Sequence, residues 1–311
     1  MTLLHGYDLA ADDTGQRSFR VPEMRRCRGW MARQGLPLPP TTATDEGKSL
    51  MGTANSTIQQ SGIAFPLPPC PDAPAAYTVS WPVRLGDTDG QERLRLDAIA
   101  RYAMDIGYEQ LEAAEEGHLH LAWLVRRTVI DVVRPIEFGD RVTLRRWPSA
   151  MSNRWFNARI QIDSERGGLI EAEQFLINID PEAARPARMS DRFMAPMLAV
   201  TTEHRLRWQA ALQPISPAAD GAGRSFQLRV TDVDRLGHVN NAVHWEAVEE
   251  GLALHPELGT APYRAIVEHV GAVMGADDVV IRTRRADTGL DIQLEVDGSA
   301  RTLARISPLN Y

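Results

Sequence analysis

Two stretches of this chain, 145 residues apart, read alike, and that duplication limits the fold more than any other feature. In the first, Tyr77, Val79, Trp81, Val83 and Leu85 alternate with Thr78, Ser80, Pro82 and Arg84, the period-two pattern of a half-buried strand. Pro82 falls on the outward side. That suits an edge or a bulge, because proline has no N–H to give a neighbour. A polar loop with Asp87-x-Asp89 follows. A helix then runs to about Ala114, with Asp97 as its expected cap and Ile99, Tyr102, Ala103, Ile106 and Leu111 on one side. Strand-like runs at 128–133, 141–147, 155–163 and 169–180 complete the unit. In the second stretch, Phe226, Leu228 and Val230 alternate with polar residues, and the loop DVDRLGHVNN repeats the Asp-x-Asp as Asp232 and Asp234. A helix over about 242–254 comes next, then runs at 265–270, 278–284, 290–296 and 303–306. One helix per antiparallel sheet, made twice, predicts an α+β architecture.

The chain of 311 residues is long enough for about two domains. Its first 75 residues hold nine of the 20 prolines, seven acidic and seven basic residues, and no sustained apolar period. They are expected to be a disordered extension. Within them, 24–36 is basic, carries Trp30 and could form a short helix. No apolar stretch follows it, so it does not read as a secretory signal. Met51 is an alternative point for translation to begin. The expected organisation is therefore an extension at 1–75, a first domain at 76–200, a linker at 201–224 and a second domain at 225–311.

Several function classes fall away. A net charge of −7 argues against a nucleic-acid binder, which carries a basic stripe. No run of about 18 apolar residues suggests a membrane span. The two cysteines, Cys27 and Cys70, make neither a disulfide scaffold nor a metal site, and any chemistry beyond residue 75 proceeds without a thiol. Lys48 is the sole lysine, which removes Schiff-base chemistry downstream. There is neither a nucleophile elbow nor a phosphate loop. His118 and His120 read as surface histidines. No cofactor or metal is expected, and a cytoplasmic location is the default.

The ordered part resembles the acyl-acyl carrier protein thioesterase family over about 77–306. The resemblance rests on LRLDAIARYAMD, the run WLVRRTVI at 123–130, GDRVTLRRWPS, RWFNARI and AEQFLINIDPEAARPARMSDRF in the first half. In the second half it rests on DVDRLGHVNNAVHWEAVEE. It implies two tandem hotdog folds, each a long helix wrapped by an antiparallel sheet. The activity it implies is hydrolysis of an acyl thioester, releasing a fatty acid from acyl carrier protein. GHVNN before a helix also occurs in single-hotdog acyl-CoA thioesterases, so acyl-CoA is the alternative substrate. A hotdog protein that binds acyl thioesters without turning them over is the alternative class, and a homodimer is left open.

The chemistry concentrates in DVDRLGHVNN. Thioester cleavage needs a nucleophile or activated water, and donors for the developing oxyanion. A loop of carboxylates leading into a helix N-terminus offers both, since the first N–H groups of a helix lack intrahelical partners. By resemblance, Asp234 is the catalytic aspartate; its bland reading is a turn carboxylate capping its own backbone. His238 matches the family's histidine, as a base or as a group that orients the thioester. Asn240 and Asn241 match an Asn pair whose readiest job is capping, with a substrate contact as the second. Trp245, named with the two asparagines as a candidate substrate contact, is expected in the core or the pocket wall.

The plant-type pattern is broken in three places: Leu236 stands where it has Asn, and Ala272 and Val273 where it has Glu and Cys. Only Asp234 and His238 remain to handle protons. Arg93 is the first-half counterpart of His238, so that half is expected to bind substrate only. The groups Arg126–Arg127, Arg145–Arg146 and Arg282, Arg284 and Arg285 read as solvated faces or as guides for an acidic carrier or coenzyme A phosphates.

Overall fold

The computed structural model describes residues 63–70, 76–183, 185–216, 223–235, 237–286 and 288–309. The first half comprises β1 (Tyr77–Pro82), α1 (Leu96–Ala113), β2 (Trp123–Arg134), β3 (Arg141–Met151), β4 (Trp155–Ser164) and β5 (Leu169–Asp180). A two-residue strand β6 (Arg185–Pro186) and the helix α2 (Asp191–Val200) follow. The second half comprises β7 (Arg224–Phe226), α3 (Asn241–Leu252), β8 (Tyr263–His269), β9 (Val279–Ala286), β10 (Gly289–Val296) and β11 (Ser299–Pro308). The main sheet runs β1-β3-β4-β5-β2-β8-β11-β10-β9-β7, with β6 added to β5. Each half thus repeats one strand order, and the halves join edge to edge where β2 pairs antiparallel with β8. All the paired strands are antiparallel.

The 145-residue offset persists in the backbone. Three-residue 3-10 turns at Leu85–Asp87 and Val230–Asp232 open the two loops. Isolated bridges Thr88–Leu94 and Val233–Val239 close them. The first helix begins at Leu96, one residue before the expected cap: Asp97 lies inside the first turn, fully buried, where Arg95 at 2.8 Å and Arg101 both bond its carboxylate. α1 packs on α3, and the N–H of Leu96 donates to the Glu249 carboxylate of α3 at 2.7 Å. A group from the second half thereby satisfies an orphan donor at the start of the first helix.

The strand alternation expected for β4 is present: Phe156, Ala158, Ile160 and Ile162 share the buried face. In β10, however, Asp291, Gln293 and Glu295 on the opposite face are buried as well. The outer face of the sheet is covered. Residues 206–216 cross it: Leu206 O accepts from Trp155 Nε1 at 2.7 Å, Ala211 N–H donates to Glu268 at 2.8 Å, and Ile215 N–H donates to Gln293 at 2.8 Å.

A second strap corrects the expectation of disorder for 63–70. Ile63 and Leu67 are buried against Val129, Leu212, Ile266 and Leu303. Arg264 Nη2 donates to Ala64 O at 3.0 Å and Arg159 Nε to Pro68 O at 2.9 Å. Two apolar anchors and two guanidinium clamps hold a segment whose composition alone reads as unstructured. Residues 1–62, with the short helix expected at 24–36 and Met51, and residues 71–75 lie outside the described residues.

Two ion pairs stitch the junction. Arg264 meets Asp131 through Nε–Oδ1 at 2.6 Å and Nη2–Oδ2 at 2.7 Å, and Arg127 meets Glu268 at 3.2 Å. Both couples are register partners across β2 and β8. An Arg-x-x-x-acid motif, at Arg127–Asp131 and at Arg264–Glu268, faces its own repeat in the antiparallel pairing.

Candidate active site

The two aspartates of the second loop do different work. Asp232 is buried and structural: Arg229 N–H reaches its Oδ2 at 2.8 Å and Arg229 Nε its Oδ1 at 2.9 Å. Asp234 stands at the turn beyond. Its N–H donates to His238 O at 2.9 Å, and its C=O accepts from Gly237 N–H at 3.0 Å. Gly237 sits at φ +83°, in the left-handed region that glycine enters without a Cβ clash. That reversal brings His238 Nδ1 to 3.6 Å from Asp234 Oδ2. The other ring nitrogen of His238, Nε2, is buried without a hydrogen-bond partner among the described residues.

The helix that follows is capped as expected for one of the asparagines. Asn240 is the N-cap of α3, its Oδ1 accepting from Ala242 N–H at 2.9 Å. Asn241 is the first helical residue.

A cavity of about 660 Å³ opens beside this loop, in the size range of small-molecule sites. Asp234, His238, Asn240 and Asn241 all line it. Its walls extend into the first half through α1, β2 to β5 and α2, with Leu111, Trp123, Phe156 and Phe193 among the apolar groups. Ala272 and Val273 also line it, so the positions that hold Glu and Cys in the plant-type pattern border the cavity without a titratable group. Leu236 lies outside the described residues.

Trp245 corrects the sequence expectation for substrate binding: it is 1% exposed, part of the main core, and not in the cavity wall. One turn beyond Asn241, it already lies on the core-packed part of α3.

The first-half loop is chemically closed. Arg93 Nε reaches Asp89 Oδ2 at 2.9 Å, and Arg93 N–H and Gln91 N–H reach Oδ1 at 2.9 and 2.8 Å. Arginine at the histidine position ties up the carboxylate that corresponds to Asp234.

Sequence reasoning missed three groups on the cavity wall. His244 on α3 and His269 at the end of β8 meet ring to ring, with centroids 4.8 Å apart. His244 Nδ1 shares a hydrogen bond with Thr302 Oγ1, whereas neither nitrogen of His269 has a partner among the described residues. Burial pushes His244 down to about 4, and burial together with His244 and Arg126 holds His269 well below the usual histidine range, so both are neutral at pH 7.

The third is Arg146. Val142 and Leu144 precede it at period two on the buried side of β3, a signal that places Arg146 inward. Among the arginines expected on solvated faces, the expectation is corrected for Arg126, Arg127 and Arg146. Arg127 and Arg146 are buried, and Arg126 donates to His269 O. Arg145 pairs with Asp163, Arg282 with Glu295, Arg284 with Asp291 and Arg285 with Glu257. His120 is likewise not a surface group. It accepts from Ser190 N–H at 3.1 Å and packs on Phe193, anchoring the start of α2.

Residues 74–197 match the model of the acyl-ACP thioesterase N-terminal domain, and residues 215–306 that of the C-terminal domain. The chain belongs to the acyl-ACP thioesterase family. Members of that family are thioester hydrolases, and this chain is an enzyme of that class. It is 37% identical over 239 residues to the Mycobacterium tuberculosis proteins MT2057 and Rv2001, covering 77% of this chain and 94% of each of those; both are described as uncharacterized. Among solved structures it shares the fold of an acyl-ACP thioesterase from Bacteroides thetaiotaomicron, at TM-score 0.59, 12% identity and coverage of 75% and 97%. It also shares the fold of the 12:0-ACP thioesterase from Umbellularia californica, at TM-score 0.59, 15% identity and coverage of 75% and 96%. No helix among the described residues is long and apolar enough to cross a membrane.

Proposed function

We propose that this thioesterase hydrolyses acyl-acyl carrier protein to a free fatty acid, using Asp234 and His238 at the mouth of the shared cavity. The two strand–helix–sheet units are read as tandem hotdogs, the second catalytic and the first supplying most of the acyl-binding wall. The observation that carries the reading is the approach of Asp234 to His238 at 3.6 Å on that wall, beside the N-terminus of α3.

His238 Nδ1 lies 3.5 Å from Val239 O and 3.6 Å from Asp234 Oδ2, so with its proton toward these acceptors Nε2 is the lone-pair acceptor for a proton from water. The 3.6 Å gap must close slightly for a full hydrogen bond, as catalytic contacts do when substrate binds. Water adds to the thioester carbonyl carbon as His238 takes its proton, and Asp234 stabilises the imidazolium. The oxyanion is received at the α3 N-terminus, where Asn241 offers its N–H and side-chain amide. The C–S bond then breaks, His238 returns its proton to the thiolate, and the fatty acid departs. His244 and His269, neutral nearby, add no charge to oppose the imidazolium.

The choice of carrier rests on the family match, because the arginine pairs do not form an open basic patch. The test is a hydrolysis panel over chain lengths on both carriers, reading thiol release, with the chain as a cytoplasmic enzyme. Higher kcat/KM on carrier-protein substrates is the expected result. Higher kcat/KM on coenzyme A substrates would move the reading to an acyl-CoA thioesterase, and no turnover on either would overturn it.

A further inference from the structure

We propose that the acyl cavity selects chains bearing a carboxylate or similar oxygen acceptor away from the thioester, held by Arg146. This rests on the acyl-thioester reading of the same cavity and names the kind of chain it takes.

Arg146 projects from β3 into the cavity wall and is only 7% exposed. Its guanidinium bonds Gln110 of α1 through Nη1 and lies 5.5 Å from the Phe156 ring centroid. Nε is buried with no hydrogen-bond partner. Among the described residues no carboxylate comes within ion-pair reach of it, although Asp105 and Asp234 border the same cavity. Every other buried arginine of the first half is answered: Arg127 by Glu268 and Arg159 by Glu171. Arg146 alone of these faces an apolar interior with its charge uncompensated, and an isolated buried cation is strongly unfavourable. Burial lowers it to about 10, which still leaves it charged at neutral pH.

The surroundings argue against a purely structural role. A plain alkyl pocket has no use for a guanidinium where Val142 and Leu144 show that an apolar side chain fits the same strand face. Gly107 packs beside the guanidinium without a side chain; a Cβ there would lie at ordinary contact distance, 3.7 Å, from Nε and Nη2. Gln174, also on the wall and buried, adds a second polar group. A carboxylate meeting the part of the guanidinium that borders the cavity would compensate its charge as a charge-assisted pair. The reaction is unchanged: water replaces the thiol at the carbonyl carbon, and the distal group is only recognised.

The test measures binding of pantetheine thioethers, which cannot be hydrolysed, to the full chain by calorimetry. Short, medium and long alkyl series are compared, each ending in either a methyl or a carboxylate. At the best-fitting length the carboxylate-ended probe should bind about tenfold or more tighter than its methyl partner. Arg146→Met should reverse that order and Arg146→Lys should retain it, with thermal unfolding confirming that both variants fold. Because the comparison in the wild-type chain needs no variant, misfolding of a mutant does not remove the test. Tighter binding of the methyl-ended probe at every length, or a preference unchanged by Arg146→Met, would overturn the proposal while leaving the acyl-thioester reading intact. No binding of either series would overturn both.

Discussion

Asp234 and Asp89 are the same residue in two copies of one loop, and what separates them is a single neighbour. Arg93 saturates Asp89, whereas His238 stands off Asp234 at 3.6 Å and leaves a ring nitrogen for chemistry. Asp234→Asn keeps the shape of the loop and removes the charge. It should cut turnover at least about a hundredfold, the scale of a positioned acid–base group, with a change in unfolding free energy within about 0.5 kcal/mol. Steady-state kinetics and urea unfolding of the same preparation check both halves of that expectation. His238→Ala should cost at least as much in turnover, because His238 takes the proton from water and returns it to the thiolate. That Asp234, His238, Asn240 and Asn241 share one cavity wall was legible because they lie in a contiguous motif. His269 and Arg146 were not, because each reaches the cavity by strand pleat and sheet pairing from a separate place in the chain. For Arg146, the doublet Arg145–Arg146 suggested a charged surface, yet alternation sends Arg145 to Asp163 at the surface and Arg146 inward.

At the scale of elements, carboxylates and arginines hold the two halves together. Glu249 reaches from α3 to the first N–H of α1 and lies beside Asp97, which Arg95 and Arg101 keep ionised. Burial, and then the Asp97 charge, raise Glu249 to about 8, so it is protonated at pH 7 in the folded chain. The unfolded chain ionises Glu249 near pH 4.5. The contribution of this group is therefore full below that pH and is lost as pH climbs toward 8. Glu249→Gln retains an acceptor for Leu96 and cannot ionise. It should match wild type at pH 5 and become progressively more stable than wild type toward pH 8 in chemical unfolding.

The β2–β8 junction behaves oppositely. Arg264→Met strands the buried Asp131 carboxylate and should cost about 3–5 kcal/mol in the same assay, whereas Asp131→Leu combined with Arg264→Met should cost clearly less. The strand runs that build this junction were visible in sequence as β-branched stretches. Their cross-strand ion pairs were not, since Arg127 and Asp131 acquire their meaning only once β8 lies alongside.

The whole molecule is a sheet covered on both faces, and the second cover is what its sequence concealed. The inner face is closed by α1 and α3, as the helical periodicity anticipates. The outer face is closed by two irregular straps, 63–70 and 206–216, which have no periodicity to read. Their presence explains why β10, a faultless alternation of Leu290, Ile292, Leu294 and Val296 with polar residues, is buried on both sides: the polar row is satisfied by arginines and by the strap's backbone rather than by water. The N-terminal strap contributes two buried side chains and shields Val129, Ile266 and Leu303. Full burial of an aliphatic side chain is worth about 1.5–3 kcal/mol, offset by the ordering of the segment. Removal of residues 1–62 should therefore leave unfolding and turnover unchanged, because the strap and the described residues it packs on remain. Removal of residues 1–75 should lower stability by roughly 2–4 kcal/mol, read as a fall in Tm of roughly 5–10 °C. It also withdraws the carbonyl acceptors of Arg159 and Arg264, so Arg264→Met should cost less in the shorter chain than in the longer one. Equal Tm for the two truncations would mean that the sheet's outer face is closed by the 206–216 strap alone.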